Sequence, residues 1–322
     1  MLQQLNLRLN KMMPLITPIS IVLGIIFSAY LKDLSFLVPW LFACMTFEGS
    51  LGMNVKSLKN ALAHPFPVFI ALGILHILMP LWAWAVGHVA FSGDSYIITG
   101  LVLGMVIPTG VTSFIWVSIY KGNSALTLAI ILIDSLLSPF IVPYSLSLFV
   151  GQKVEMDTSG MMSGLLFMIV IPSIAGMILN ELTKGKIKDV WKPRLAPISK
   201  VFLSLVVMLN GAVIAPYFKH IELKLIFTIL VVLFISIFGY VFSFIIAKLL
   251  KFDREMVVTL TYSSGMRNIS AGSVIAISYF PSSVVFVVVV GMLFQQTIAS
   301  VFGTFLDKHY NQQVEETHRI TG

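Results

Sequence analysis

The sequence predicts an all-α polytopic membrane protein of ten transmembrane helices, arranged as two inverted five-helix repeats. Three observations carry this. The 322 residues are 57% hydrophobic and only 11% charged, with a mean hydropathy of +0.95. Soluble domains carry about 25% charged residues, and a soluble fold of this size could not hide so much apolar surface. Apolar runs of about 20 residues, the length that crosses a bilayer core, recur along the whole chain. The basic residues that give the net charge of +7 lie mostly in the gaps between these runs, where membrane topology rather than nucleic-acid binding would place them.

The candidate spans cover roughly 13–31, 34–54, 66–90, 95–120, 124–150, 158–182, 195–218, 222–249, 256–280 and 282–306. Arg8 and Lys11 precede the first, and no small-residue cleavage site follows, so it reads as a retained helix rather than a secretory signal. The second span carries the single cysteine, Cys44, expected as a small core residue, and Glu48 near its end. One cysteine excludes a disulfide within the chain and argues against a cysteine-based metal site. His76 interrupts the third span four residues before Pro80, and Gln295 and Gln296 interrupt the tenth. The connections are short, so residues 1–322 read as a single membrane domain with approximate repeats 1–150 and 151–322.

Lysine and arginine counts orient the chain. With an inside N-terminus, sixteen of the 21 basic residues fall on inside segments. Only Lys32, Lys153, Lys219 and Lys224 fall outside, and Arg267 lies within a span. This bias predicts cytoplasmic termini in the plasma (inner) membrane. The basic 184–200 loop is most simply part of that topology signal, with a lipid headgroup site as the sharper alternative. Five spans per half is an odd number, so the second half would run through the membrane inverted, as is common in secondary transporters.

Arg267 is the residue that most constrains function. It is twelfth in the run 256–280, which otherwise reads as a span. A cation at mid-membrane depth costs at least about 2.5–3.5 kcal/mol on insertion scales, so it is tolerated only against a polar interior or a partner. Tyr262-Ser263-Ser264-Gly265 before it and Asn268-Ile269-Ser270 after it predict a helix that breaks there. Span four contains a similar Pro/Gly break, Val106-Ile-Pro-Thr-Gly-Val-Thr-Ser113. These are the fourth members of the two halves, and paired interrupted helices in corresponding positions point to a transporter binding site.

Unwound backbone frees N–H and C=O groups that lipid cannot satisfy. Half-helix N-termini then favour anions, and freed carbonyls favour cations. This logic predicts an anion transporter more readily than a channel or an enzyme. No HExxH motif and no Ser-His or paired-Asp arrangement is present. Thr112 and Ser113 in the first break, Asn268 in the second, and Thr127, Asp134 and Ser135 on span five could line the site. Thr127 and Asp134 are seven apart and share a helix face. Each has a plainer reading. Thr and Ser in membrane helices commonly bond their own backbone, Gln295 and Gln296 could be interhelical glue, His76 could be a packing residue, and Glu48 could reach the cytoplasmic interface. Asp134 could be a structural ion-pair partner of Arg267.

Three passages resemble the bile acid:sodium symporter family in its prokaryotic branch. Lys121-Gly-Asn-Ser-Ala-Leu-Thr-Leu-Ala, continuing to Ser135-Leu-Leu-Ser-Pro139, is similar to that family's GN-x-AL-S-x-A…STLLSP stretch. Lys153-Val-Glu-Met-Asp157, leading to Ile171-Pro-Ser-Ile-Ala-Gly176 and Asn180, resembles the start of its second half. Gly265-Met266-Arg267-Asn268 is similar to its G-M-Q-N crossover. The resemblance implies a panel domain and a core domain, with helices four and nine broken and crossing. It also implies transport of organic anions, such as bile acids or small acids like pantoate, by alternating access with sodium.

Carried over residue by residue, the resemblance shows departures. The family's sodium-bridging glutamate falls at Ser263, its neighbouring glutamine at Arg267 and its span-three glutamine at His76. Its Ser-Asn pair in span four falls at Ser113-Phe114, its Ser and Thr ligands in span five at Thr127 and Ile131, and its His-Asn pair in span ten at Gln295-Gln296. Asn268 keeps the family's asparagine, which in relatives lies by the substrate. Sodium wants oxygen ligands, by the reasoning that holds for calcium and magnesium, whereas arginine is always protonated and has no acceptor. At least one sodium site is therefore expected to be lost. Arg267, Asn268, Thr112, Ser113, Gln295 and Gln296 are the expected substrate contacts. Ser113, Thr127, Ser263, Ser264, Met266, His76 and Asp134 are the candidates for ion binding or coupling, with Na+ or H+ as the coupling ion. The expected partners are a small organic anion and membrane lipid, with no nucleic acid and no obligate protein partner. The alternatives are a proton-coupled or uncoupled carboxylate permease, or a non-transporting membrane sensor.

Overall fold

The structure, a computed structural model, describes residues 15–53, 65–151, 154, 156–218 and 222–321, with side chains described as far as Tyr310. Arg8, Lys11, Lys56, Lys59, Lys153 and Lys219, which carry part of the charge asymmetry, lie outside the described residues, as does the Arg319 side chain. Among the described residues the chain is helical throughout, with no β-strand. The helices are α1 (Leu15–Ile26), α2 (Ser28–Ser50) and α3 (Pro65–Ala90), α4 (Ser95–Val106), α5 (Ser113–Ile119) and α6 (Ser124–Val150), α7 (Thr158–Leu182) and α8 (Lys186–Val190). They continue as α9 (Lys192–Phe218) and α10 (Leu223–Leu249), then α11 (Arg254–Gly265), α12 (Ile269–Tyr279) and α13 (Ser282–Thr321).

Six of these, α3, α6, α7, α9, α10 and α13, are long and apolar enough to cross a membrane. A seventh span results if α1 and α2, bent by 86° at their junction, are taken together. The chain is therefore a polytopic integral membrane protein. The junction differs from the sequence expectation. The sequence predicts spans 13–31 and 34–54, but the bend lies at Phe27 and the backbone passes through Lys32–Leu37 as a 3₁₀ segment inside α2.

The runs 95–120 and 256–280 are each broken in the middle, into α4 and α5 and into α11 and α12. α4 and α12 are apolar and buried on nearly every face, as befits helices enclosed by others. The outer helices instead present large apolar side chains such as Trp40, Phe69, Leu148 and Leu249 to the surroundings. Cys44 corrects an expectation, because it is exposed on α2 rather than part of a core. Lipid is as apolar as a protein interior, so an apolar neighbourhood in sequence carries no information about burial.

Prolines shape the long helices. Pro80 has no N–H for the carbonyl of His76, and the helix widens into a π segment at Ile74–Leu78. Pro172 sits in the same relation to a π segment at Leu166–Val170 in α7. A missing donor is a standard cause of such local distortion. In α6, Pro139 orphans the carbonyl of Ser135, and the Ser138 hydroxyl donates to that carbonyl at 2.8 Å. A hydroxyl one turn away thus restores what the imino acid removes.

Candidate functional site

The site is built where the two breaks meet. α4 stops at Val106 because Pro108 disfavours helical backbone at the residue before it; Ile107 is extended, at φ −60° and ψ 150°. α11 stops at Gly265, and Met266 is extended at φ −90° and ψ 143°. The two extended stretches run antiparallel past each other. Thr109 and Arg267 form an isolated bridge, and the Asn268 N–H donates to the Pro108 carbonyl at 2.8 Å. The backbones approach closely enough that a Cβ on Gly110 would lie 2.9 Å from the Arg267 carbonyl oxygen.

Two buried charged side chains bind backbone groups that the breaks release. Arg267 is only 2% exposed. Its Nε donates to the Met105 carbonyl at 3.0 Å, and its Nη1 donates to the carbonyls of Ser264 at 2.5 Å and Met266 at 3.4 Å. These carbonyls belong to the C-terminal ends of α4 and α11, where the helix dipole favours a cation. Asp134, fully buried on α6, answers the opposite need: its Oδ2 accepts the Thr109 N–H at 2.6 Å. Its Oδ1 lies 2.5 Å from His76 Nε2, in the π segment of α3. Arg267 and Asp134 are close enough to interact through space. They form no ion pair within 4.0 Å, because each is held by other groups.

Thr109 is the residue that sequence reasoning missed. Its N–H binds Asp134, its hydroxyl donates to the carbonyls of Ser263 at 2.6 Å and Met266 at 3.3 Å, and its backbone pairs with Arg267. The available signal was a hydroxyl residue directly after the proline of the break, where the backbone amide is freed.

The structure brings several predicted residues together and separates others. Ser263, Ser264, Met266, Arg267, His76 and Asp134 all belong to the crossover network. Asn268 lies within it as the N-cap of α12, its side chain accepting the Ala271 N–H at 3.2 Å. Thr127 lies beside it. Its hydroxyl donates to the Asn123 carbonyl at 2.9 Å and accepts from the Ser263 hydroxyl at 3.5 Å. Ser113 opens α5 and is buried, with no hydrogen-bond partner for its hydroxyl among the described residues; Thr112 is half-buried at the helix N-cap position. Gln296 instead accepts from Trp116 Nε1 at 3.0 Å, fastening α13 to α5, and the Gln295 carbonyl lies 3.5 Å from the Tyr240 hydroxyl. Glu48 lies apart from the crossover, with Lys192, Ser199 and Lys200. The Ser264 hydroxyl, Arg267 Nη2 and His76 Nδ1 are further buried polar atoms with no hydrogen-bond partner among the described residues. A narrow apolar cleft reaches this region, lined by Gly100, Gly104, Met105, Val232, Ile235 and Ile269.

The sequence model of the Sodium Bile acid symporter family matches residues 38–221. This chain belongs to that family. The relatives of this chain include the protein YbaS of Bacillus subtilis (strain 168), 50% identical over 296 residues that make up 92% of this chain and 97% of that protein. A second protein of the same organism, the sodium-dependent transporter YocS, is 24% identical over 259 residues, 80% of this chain and 79% of YocS. The probable sodium/metabolite cotransporter BASS1 of Arabidopsis thaliana chloroplasts is 25% identical over 228 residues, 71% of this chain and 56% of that protein. The family is one of membrane transporters, so the chain is not an enzyme.

Proposed function

We propose that this protein is a secondary transporter of an organic anion, working by alternating access, in which the Arg267 guanidinium takes the place of one coupling sodium ion. The observation that carries this is Arg267 Nη1 seated on the carbonyls of Ser264 and Met266, with Nε on that of Met105. Carbonyl oxygens are what a hard cation seeks. Here a tethered cation engages them, and Ser263 stands where the family resemblance puts a carboxylate. A mobile cation about 4 Å from Arg267 would be repelled by several kcal/mol at intermediate dielectric. The residues present therefore do not fit a sodium ion at this position.

The hydroxyls of Ser113, Thr127 and Ser263 are the remaining oxygen groups for any second ion. The anion would meet Arg267 through Nη2, the guanidinium nitrogen left without a partner, near Asn268 and Thr112. The narrowness of the cleft beside Met105 and Ile269, which would have to widen to admit either, favours a small carboxylate such as pantoate over a bulky bile acid. Gln295 and Gln296 would shape the far side of the pocket. Two inverted five-helix repeats with panel and core domains supply the moving parts, and the lysine and arginine bias supports cytoplasmic termini in the plasma membrane.

Uptake of labelled pantoate and of labelled taurocholate into proteoliposomes, with sodium replaced by potassium at fixed pH, tests this reading. Uptake that persists without sodium, or depends on it to first order only, is the expected result. A sigmoidal dependence with two sodium ions per cycle sinks the replacement by Arg267. Carboxylates that stabilise the purified protein yet never cross the bilayer sink transport itself.

A further inference from the structure

The crossover holds a second device that the anion site does not use. His76 is placed by the π segment of α3, its side chain 7% exposed, with Nε2 at 2.5 Å from the fully buried Asp134. The other carboxylate oxygen receives the Thr109 N–H, and the Thr109 hydroxyl grips the carbonyls of Ser263 and Met266. Because the ionised Asp134 carboxylate that balances Arg267 can only accept, His76 Nε2 carries the hydrogen of that contact. Nδ1, buried and without a hydrogen-bond partner among the described residues, is then the basic nitrogen. The imidazole is thus one free lone pair, joined through Asp134 and Thr109 to the backbone that Arg267 holds.

We propose that His76 Nδ1 is the coupling-proton site, and that one proton enters with each monovalent anion. The inference rests on the anion-transport reading above. With His76 neutral, the charges of Arg267 and Asp134 cancel. A bound monocarboxylate leaves the enclosed site one charge negative, and an uncompensated buried charge is strongly disfavoured. Proton binding forms an N–H bond at Nδ1, breaks none within the protein, draws the proton from water and returns the site to neutrality. Proton and anion therefore favour each other's binding, and the coupling is reciprocal.

Among the described residues, no other group facing His76 competes for this role. Asp134 on α6 is already held by two donors. Arg267, beyond α11, keeps its proton. The phenols Tyr262 on α11 and Tyr240 on α10 commit their hydroxyls to the Ala299 and Gln295 carbonyls of α13. α4, which also packs on this segment of α3, brings no charged side chain between Ser95 and Val106. Histidine is the side chain that gains and loses a proton in the physiological range.

Two measurements decide the matter. In sodium-free proteoliposomes, an inward proton gradient of about one pH unit should drive about tenfold accumulation of labelled pantoate, with matching alkalinisation outside. His76→Gln, which can still donate to Asp134, should lose the response to the gradient, and His88→Gln should keep it. Independently, at fixed pH, the ¹⁵N signals of His76, assigned by their loss in His76→Gln, should move from neutral imidazole toward imidazolium when pantoate is added. A His76 that holds one protonation state throughout overturns the proposal. So does pantoate or taurocholate uptake that follows sodium and ignores the proton gradient, although anion transport then stands. A His76 that gains a proton with pantoate in a protein that moves neither anion across the bilayer supports the proton site and counts against the transport reading.

Discussion

Thr109 and Arg267 pair backbone to backbone at the point where two interrupted helices cross, and between them they engage the carbonyls of Met105, Ser263, Ser264 and Met266. The crossing is thus held by donors built into the chain, in a family whose name specifies sodium. A site that is already satisfied by its own cation has a different relation to salt from one that must recruit an ion.

That difference can be reversed by substitution. Arg267→Gln combined with Ser263→Glu should return a carboxylate and acceptor oxygens to the carbonyls of Ser264 and Met266. The purified double variant is expected to gain more melting temperature on exchange of potassium chloride for sodium chloride than the parent protein does. Arg267→Ala alone should be destabilised by about 2–4 kcal/mol, since several charge-assisted hydrogen bonds disappear and buried carbonyls lose their donor. A double variant indifferent to the choice of cation would show that the crossover carbonyls are not a cation site.

Gly110 should tolerate no side chain. Its added Cβ would meet the Arg267 carbonyl oxygen at 2.9 Å and the carbonyl carbon at 3.2 Å, both backbone atoms that cannot swing aside. Gly110→Ala is expected to cost about 1–3 kcal/mol through strain and to depress transport by separating the two breaks. Gly104→Ala, where an added Cβ meets nothing within 4 Å, is the matched control for stability and should melt close to the parent. Equal melting temperatures for the two variants would rule out a tight crossing.

The breaks were legible in the sequence because proline and glycine at 108 and 110, and glycine at 265, interrupt runs too apolar to lie anywhere but in a membrane. Arg267 was legible for the same reason, as a charge with no surface to escape to. The pairing of His76 with Asp134 was not, since it joins positions 58 residues apart and depends on the π segment upstream of Pro80 turning the imidazole toward α6. The direct Arg267–Asp134 ion pair considered as an alternative does not form within 4.0 Å, because each charge finds freed backbone groups closer to hand. Thr109 was passed over among many hydroxyl residues. Only the register of the antiparallel bridge shows that its amide and hydroxyl serve two different helices. Gln295 and Gln296 look like site residues by polarity, yet Gln296 fastens two helices through Trp116.

The Thr109 hydroxyl offers a graded test. Thr109→Ser keeps the donor to the Ser263 and Met266 carbonyls, and Thr109→Val keeps the shape without it. Valine should lose about 1–3 kcal/mol, the cost of leaving a buried acceptor unsatisfied, and serine much less. Guanidinium or thermal unfolding in a fixed detergent, read by tryptophan fluorescence, would compare them. If serine and valine behaved alike, the hydroxyl would contribute only its volume.

Ser138 and Pro139 make a prediction about the helix that carries Asp134. The Ser138 hydroxyl donates to the Ser135 carbonyl at 2.8 Å, the carbonyl left without an amide by Pro139. Ser138→Ala should therefore destabilise the protein by about 1 kcal/mol or somewhat more. Pro139→Ala supplies the missing N–H at the same carbonyl, so the serine becomes redundant in that background. A double-mutant cycle separates this from general packing: the cost of Ser138→Ala should fall sharply when residue 139 is alanine, giving an interaction energy of about 0.5–3 kcal/mol between the neighbours. Additive costs would mean that the hydroxyl and the proline act independently, and the local account of how α6 stays helical beside the crossover would have to be abandoned. The cycle also bears on Asp134, which lies one residue before Ser135. If the repair fails, the carboxylate loses its aim at the Thr109 amide, so the Ser138→Ala variant should show weakened transport beyond its loss of stability, and Pro139→Ala should restore it.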